Sequence, residues 1–190
     1  VSTSATVKNI VYLYDKGTVN TSLVGSWTTV DGRQLFNSGW YSQNSTMTIN
    51  KNSTNMTLKI TPARTNRAIG ISTTKAINFT NYKSINMVYD LTINSFTDHE
   101  NTAAGNYVLM RMTIGSSSYT TQGFADVKNV KKYSVVGNNT SGTFSKNATL
   151  SISTTNITGS FYVTTDIGAQ YVNNDTNMTF VIHQIYLVPN

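Results

Sequence analysis

The chain has 190 residues, no cysteine, a formal net charge of +6 and only 12% charged residues. The lack of cysteine excludes a disulfide framework and a thiolate metal site, and a charged fraction about half the usual one leaves few groups for acid–base catalysis. The basic residues form neither a run nor a basic helix, which argues against nucleic-acid binding. No stretch approaches the roughly 18 apolar residues that a membrane helix needs.

The polarity of the chain comes from uncharged side chains. There are 31 Thr, 20 Ser and 23 Asn residues, and Glu occurs once, as Glu100. A sequence poor in Glu, Ala and Leu is poorly suited to helices. Thr and the β-branched and aromatic residues favour strands, whereas Asn, Ser and Gly favour the turns between them. The composition therefore predicts an all-β protein.

Hydrophobic residues alternate with a period of two in most segments, which is typical of strands with one buried face. In chain order the predicted strands cover residues 7–14, 27–30, 47–50, 56–60, 68–72, 84–94, 106–114, 133–136, 150–152, 161–163 and 179–188. Turn signals such as Asp15-Lys16-Gly17 and Asp31-Gly32 separate the strands. The sequence allows one short helix at 120–129 and predicts a polar surface loop at 95–105. This order predicts an antiparallel β-sandwich or jelly roll.

The pattern contains no internal repeat and no break that would divide the chain. We therefore expect a single β-sandwich domain over residues 7–190. Residues 1–6, Val-Ser-Thr-Ser-Ala-Thr, have the composition of a linker or of a boundary within a longer protein.

Titratable residues are scarce and scattered. The only dense group is Asp98-His99-Glu100, which is interpreted as part of a solvated loop. His183 lies inside an apolar strand and is interpreted as a core or interface histidine. The acids mostly occupy turn contexts, where hydrogen bonding to the backbone explains them. The sequence therefore predicts no catalytic residues, no metal site, no cofactor and no enzymatic activity. Spacing alone leaves open a pair of carboxylates for glycoside hydrolysis.

Aromatic residues in Gly/Ser/Asn-rich stretches are the candidates for ligand binding. A sugar site needs a ring that stacks on the apolar face of the sugar and polar groups that pair with its hydroxyls. Trp27 directly opens a strand and is interpreted as a core residue, whereas Trp40 and Tyr41 could equally be core or surface. The predicted ligand-binding set comprises the rings of Trp40, Tyr41 and Tyr119, the amides of Asn37, Gln43, Asn44 and Gln122, and the guanidinium groups of Arg33, Arg64 and Arg67 for an anionic group.

Three segments together resemble β-sandwich domains of tail and tail-fibre proteins from phages and prophages of Gram-positive bacteria. They are Val11–Gly17 with Gly25-Ser26-Trp27, the segment Ala76–Met87, and the closing Val181–Leu187, which is similar to the last strand of galactose-binding-like jelly rolls. The resemblance implies an eight- or nine-stranded galactose-binding-like jelly roll. It also implies attachment to carbohydrate of the host surface, and it transfers no binding residues.

The resulting hypothesis is a non-catalytic, carbohydrate-binding receptor module of a virion, located outside the host cell. Its partner would be a host-surface glycan or wall polymer, with neither nucleic acid nor membrane insertion involved. By analogy with tail fibres, a homotrimer could form through the parent protein. Two alternatives stay open: a structural spacer or decoration domain without a ligand, and a glycan depolymerase.

Overall fold

The computed structural model describes residues 9–34, 46–61, 67–96, 107–116, 126–135, 142–170 and 176–190. These residues form thirteen strands and one short helix. The strands are β1 (Val11–Asp15), β2 (Thr18–Val19), β3 (Trp27–Gln34), β4 (Thr46–Lys51), β5 (Met56–Thr61), β6 (Arg67–Thr73), β7 (Ile77–Asn78), β8 (Tyr82–Ser95), β9 (Tyr107–Gly115), β10 (Asp126–Val135), β11 (Gly142–Ser153), β12 (Ser160–Gln170) and β13 (Asn177–Pro189), and the helix is α1 (Thr21–Val24).

Sheet A has the strand order β11-β8-β13-β1-β2. Its centre is the long pair of β8 and β13, which run antiparallel from Asn177 opposite Ser95 to Pro189 opposite Tyr82. On its other side β13 pairs with β5 in its first half and with β1 in its second half, and β4 extends the sheet beyond β5. The last strand of the chain therefore organises the whole sheet.

Sheet B has the strand order β10-β9-β12-β6-β3, and the short β7 pairs with the start of β12. All the pairings are antiparallel. Gly70 permits the close approach of β6 to β12, because a Cβ atom there would collide with the backbone of Thr165 and Asp166. A side chain at this position would separate the two strands.

The two sheets enclose a common apolar core. Sheet A contributes alternate residues of β8 and β13, and sheet B contributes those of β9 and β12. The aromatic centre of the core is the contact between Tyr89 and Phe180, whose ring centroids are 5.8 Å apart. Trp27 also belongs to this core, with 8% of its surface exposed. The predicted all-β sandwich and the core position of Trp27 are therefore confirmed.

Several details differ from the predictions. Asp31-Gly32 does not form a turn, because β3 continues through it with a bulge between Asp31 and Arg33. Residues 126–129 lie in β10 and not in a helix, since their backbone pairs with β9. The described residues also contain more strands than the eight or nine that the resemblance implies. The specific galactose-binding-like jelly roll and the single-domain boundary at 7–190 stay predictions.

The outward faces of the two sheets differ in chemistry. On sheet B, Arg111 and Asp166 lie on neighbouring strands, face away from the core and are almost completely buried. Arg111 Nε and Nη2 donate to Asp166 Oδ1 and Oδ2 at 2.6 and 2.9 Å, which is a bidentate ion pair. Ser72, Thr113 and Thr164 on the same face are buried as well. The centre of this face, where these residues lie, is therefore closed to solvent.

The outward face of sheet A is accessible. Its strands alternate buried core residues with half-buried or exposed polar residues, as in β8 and β13. A sheet with one solvated face shows this alternation. Among the described residues no helix has the length and hydrophobicity needed to cross a membrane.

Candidate functional site

An aromatic pair lies on the accessible face of sheet A. Tyr12 on β1 is directly opposite Tyr186 on β13, and their ring centroids are 5.9 Å apart with the planes tilted by 59°. Tyr12 is 37% exposed, which is unusual for the large hydrophobic residues of the described chain. A tyrosine combines an apolar ring face with a polar hydroxyl tip. The pair is therefore suited to contact a ligand that has both apolar and hydroxyl surfaces.

Hydrogen-bonding side chains flank the aromatic pair. Asn86 of β8 lies opposite Tyr186 and donates through Nδ2 to Ser84 Oγ at 3.0 Å. Gln184 is two residues before Tyr186 on β13 and donates through Nε2 to Asp15 Oδ1 at 2.8 Å. The half-buried Gln184 amide keeps hydrogen-bonding capacity beyond this contact, whereas Asn86 is only 7% exposed and lies beneath the surface of the face. The accessible surface here therefore combines the tyrosine pair with the Gln184 amide.

A second feature of the same face is an acid–base pair built on strand irregularities. Asp90 lies on β8, and both neighbouring strands bulge beside it, between Ile182 and Gln184 in β13 and between Ser145 and Ala148 in β11. His183 follows the core residue Ile182 and therefore lies on the outer face, where its Nε2 is 3.1 Å from Asp90 Oδ2. The atoms are at ion-pair distance, but Nε2 does not form a well-directed hydrogen bond.

The bulge in β11 supplies the other partners of Asp90. Asn147 has a left-handed backbone with φ of 46°, and its N–H donates to Asp90 Oδ1 at 2.6 Å. Lys146 Nζ lies 4.0 Å from Asp90 Oδ2. Asparagine tolerates the left-handed conformation better than most residues. The local fold therefore surrounds one carboxylate with a backbone donor, an imidazole and an ammonium group.

These contacts determine the charge of Asp90. Burial by itself raises the pKa of its carboxyl group, but the N–H of Asn147, the His183 imidazole and the Lys146 ammonium together lower it below the usual 3.8. Asp90 is therefore ionised at neutral pH and attracts positive charge on His183. Such a pair can orient an imidazole for proton transfer or for contact with a ligand.

The composition of the face does not suit a metal ion. No three His, Cys, Asp or Glu side chains of the described residues are close enough together to hold one. The arrangement instead supports stacking, hydrogen bonding and proton exchange by a single histidine.

The predicted ligand-binding residues lie outside what the structure describes. This applies to Asn37, Trp40, Tyr41, Gln43, Asn44, Arg64, Tyr119 and Gln122, and for Arg33 and Arg67 only the backbone is described. Arg33 pairs with Ala68, and Arg67 pairs with Gln34, so the two arginines occupy neighbouring positions in the ladder between β3 and β6. The predicted site stays a prediction, as does the solvated loop at Asp98-His99-Glu100.

The described anchor residues of the two predicted binding segments are far apart. Gln34, which precedes segment 35–45, pairs with Arg67 at the end of sheet B that also holds Ala169 and Val108. Ser116, which precedes segment 117–125, follows Gly115 at the opposite end of β9. At about 3.3 Å per residue, the eight steps of β9 separate the two ends by roughly 26 Å. The two predicted groups of residues therefore start from opposite ends of sheet B.

Of the two interpretations of His183, as a core or as an interface histidine, the core alternative is wrong. Its neighbour Ile182 points into the core, so His183 lies on the outer face towards Asp90, where the imidazole is 23% exposed. The interface alternative stays a prediction. Sequence reasoning also missed Tyr12, Tyr186, Asn86 and Asp90 as site residues. Their outward positions in the alternating strands were detectable, but the pairing of strands that are distant in sequence was not.

No protein-family model and no curated protein sequence matches this chain. Among solved structures, it is similar to the enzymatically active domain of tailspike protein 4 of bacteriophage CBA120, with 10% identity and a TM-score of 0.46 over 94% of this chain and 22% of that chain. The structure of the Gt strain of infectious bursal disease virus has 12% identity and a TM-score of 0.15 over 87% of this chain and 41% of that chain. This chain thus spans less than a quarter of the tailspike chain.

The prediction that the protein is not an enzyme is contradicted by the tailspike comparison, because that structure is described as an enzymatically active domain. We therefore do not retain a non-catalytic assignment. At this low identity and TM-score, the comparison assigns neither a reaction nor a substrate to the chain.

Proposed function

We propose that this chain is a glycan-engaging domain of a phage tail or tailspike-like protein, and that it contacts host-surface polysaccharide through the outer face of sheet A. The observation that carries the proposal is the pair of Tyr12, which is exposed, and Tyr186, which is half-buried, beside the half-buried amide of Gln184. The sequence resemblance of three segments to phage tail domains supports the same context. The location would be the virion, outside the host cell.

The proposed contact uses two kinds of interaction. The tyrosine rings stack on the apolar C–H face of a sugar, and the amide of Gln184 pairs with its hydroxyl groups. Such a flat surface binds one sugar unit weakly, so several copies in a parent assembly would be needed for stable attachment. A homotrimer of the parent protein would supply this multivalency.

The test is binding of the chain to a panel of bacterial surface polysaccharides, measured for the natural chain and for Tyr186→Ala. We expect the variant to lose most of the binding, because a stacking ring contributes about 1 kcal/mol or more. Thr149→Ala, which changes an exposed residue of β11 on the same sheet, is the matched control and should bind normally. Full binding by Tyr186→Ala with an intact fold would remove this face as the site.

A second site remains proposed from the sequence. Trp40 and Tyr41, with Tyr119, would stack on sugar, while Asn37, Gln43, Asn44 and Gln122 would supply hydrogen bonds and Arg33, Arg64 or Arg67 would meet an anionic group. Measuring Tyr186→Ala and Trp40→Ala in the same polysaccharide-binding assay distinguishes the two sites.

Glycan cleavage is a second candidate function, favoured by the contact of Asp90 with His183. An ionised carboxylate that orients an imidazole is a recurring acid–base arrangement. The assay is release of reducing ends from host wall or capsular polysaccharide. Cleavage by the natural chain that is lost in Asp90→Asn and His183→Gln would support it, whereas unchanged cleavage in both variants would exclude this pair as the catalytic one.

A spacer or decoration domain remains the alternative to both functions. Stable homo-oligomers in solution, together with neither binding to the panel nor cleavage of any polysaccharide, would favour that alternative.

A further inference from the structure

The Tyr12–Tyr186 pair does not explain the irregular backbone around Asp90. Two neighbouring strands bulge at the same level, and Asn147 adopts a left-handed backbone there. Strained backbone persists only where its surroundings hold it in place, and such strain concentrates at functional positions. As a result, the side chains of His183 and Lys146 converge on the Asp90 carboxylate.

Both oxygens of Asp90 are already occupied. Oδ1 accepts the N–H of Asn147 at 2.6 Å, and Oδ2 faces His183 Nε2 at 3.1 Å. Asp90 therefore acts as an internal counter-ion and is poorly placed to bind anything else. The groups available to a ligand are on the other sides of His183 and Lys146.

The exposed fractions of the His183 and Lys146 side chains support their availability to a ligand. His183 Nε2 is closed off from solvent, yet 23% of the side chain is exposed, so the accessible part of the ring lies away from Asp90. A protonated imidazole has a second N–H donor at Nδ1. Lys146 is 74% exposed, so its ammonium group can turn from Asp90 to a ligand. Two positive groups against one carboxylate leave a net positive charge when His183 is protonated.

We propose that His183 and Lys146 form an anion-binding subsite on the outer face of sheet A, which takes a carboxylate or phosphodiester group of an acidic surface polysaccharide. The proposal rests on the glycan-binding function above and adds the class of substrate. Tyr186 and His183 are three residues apart on β13, roughly 10 Å at the usual rise per residue. The two contacts can therefore involve different units of one sugar chain.

Charged groups around the subsite determine its pH dependence. Asp90 faces His183 from β8, Lys146 approaches from β11, and Asp15 lies on β1, where its carboxylate is engaged by Gln184. Protonation of His183 adds a positive charge and a second N–H donor. An acidic ligand should therefore bind more tightly at lower pH, as long as the ligand itself stays ionised.

The experiment compares three probes with the full chain by NMR: an oligogalacturonate, its neutral methyl ester, and an oligomer of glycerol phosphate. The variants are His183→Gln and Lys146→Met, with Lys59→Met as the control, because Lys59 is an exposed lysine on β5 whose cross-strand partner, Thr179, lies beyond this region. We expect the natural chain and the Lys59 variant to bind the acidic probes about two- to five-fold more tightly than the ester, a range set by partly exposed charge pairs.

In His183→Gln and Lys146→Met this preference should disappear, and in His183→Gln its pH dependence should disappear too. Preference for one acidic probe over the other would tell carboxylate from phosphodiester recognition. Equal binding of acidic and neutral probes overturns the anion subsite while leaving the proposed glycan function intact. If the NMR signals of His183 respond to neither acidic probe, the anion subsite is also overturned. If the natural chain does not bind the neutral ester, the proposed glycan function itself is contradicted.

Discussion

At the scale of single residues, the charged side chains of this protein are few, and two of the described acids are held by specific partners. Asp90 is held by three partners on the accessible face of sheet A, and Asp166 is held by Arg111 on the buried face of sheet B. Both acids are paired with residues that are more than fifty positions away in sequence. Because only 12% of the residues are charged, we expect the contacts of Asp90 and of Asp166 to contribute to stability independently of each other.

The Asp90→Asn variant tests the first of these contacts. The lowered pKa of Asp90 means that its ionised form stabilises the fold above the unfolded-state value near 3.9 and that this contribution is lost as the pH falls through the lower folded-state value. We expect the variant to lose about 1 kcal/mol of unfolding free energy at pH 7 and to differ little from the natural chain near pH 2. Urea denaturation of both proteins across this pH range measures the difference in unfolding free energy. A difference that does not change with pH would contradict the stabilising role of the ionised Asp90 carboxylate.

Breaking the buried pair Arg111–Asp166 should lower the stability of the fold more than the Asp90→Asn change does. Arg111→Met leaves the Asp166 carboxylate buried without its bidentate partner, and breaking a buried pair typically costs about 3–5 kcal/mol. The double variant Arg111→Met with Asp166→Asn removes both charges and should recover part of that loss. Thermal unfolding of the three proteins gives the comparison. A double variant no more stable than Arg111→Met alone would show that the carboxylate charge is not the cause.

At the scale of elements, register and bulges determine which side chains meet. Residues that face each other across a ladder share a sheet face, which brings Tyr12 to Tyr186 and Arg111 to Asp166. Bulges then shift this regular pattern, so that both His183 and Gln184 lie outside the core between the buried residues Ile182 and Ile185. The contact between β6 and β12 depends in the same way on Gly70, where the strands lie too close for a side chain.

Gly70→Ala tests the importance of that close approach. The added methyl group would collide with backbone atoms of β12, and such overpacking typically costs about 1–3 kcal/mol or more. We expect a clear fall in the denaturation midpoint. Ser151→Ala, at an exposed position of β11, is the control and should change stability by less than about 0.5 kcal/mol. Equal midpoints for the natural chain and Gly70→Ala would mean that the two strands can separate at little cost.

At the scale of the whole molecule, the two sheets have different roles. Sheet B buries its outward face at the centre, whereas sheet A keeps a polar and aromatic face accessible. A ligand as large as a polysaccharide therefore has access to sheet A. The loop site predicted from the sequence, around Trp40, would be a separate location in the segment that joins Gln34 of sheet B to Thr46 of sheet A.

Trp40→Ala tests that separate location. If the loop site exists, the variant should weaken binding to host cells or purified glycan by about 1 kcal/mol or more while leaving the fold intact. Circular dichroism and thermal unfolding monitor the fold, and a cell-binding assay measures the function. An unfolded variant would indicate that Trp40 is a core residue, and unchanged binding would leave sheet A as the proposed contact surface.

The amino-acid sequence by itself determined the all-β class and most of the strand positions, and it favoured a core position for Trp27 that the structure then decided. These follow from local alternation and from the preferences of Thr, Asn and Gly, which act within a few residues. It did not reveal the bulge at Asp31-Gly32, because an Asp-Gly pair is an equally good turn signal.

Only the tertiary structure decided that Asp90 meets His183, that Tyr12 meets Tyr186 and that the outward face of sheet B is buried. The partners in these contacts are up to 174 positions apart, as Tyr12 and Tyr186 are. The physical reason is that an alternating strand specifies which residues share its face but not which strand lies beside it. Strand order, register and bulges emerge from packing of the whole chain.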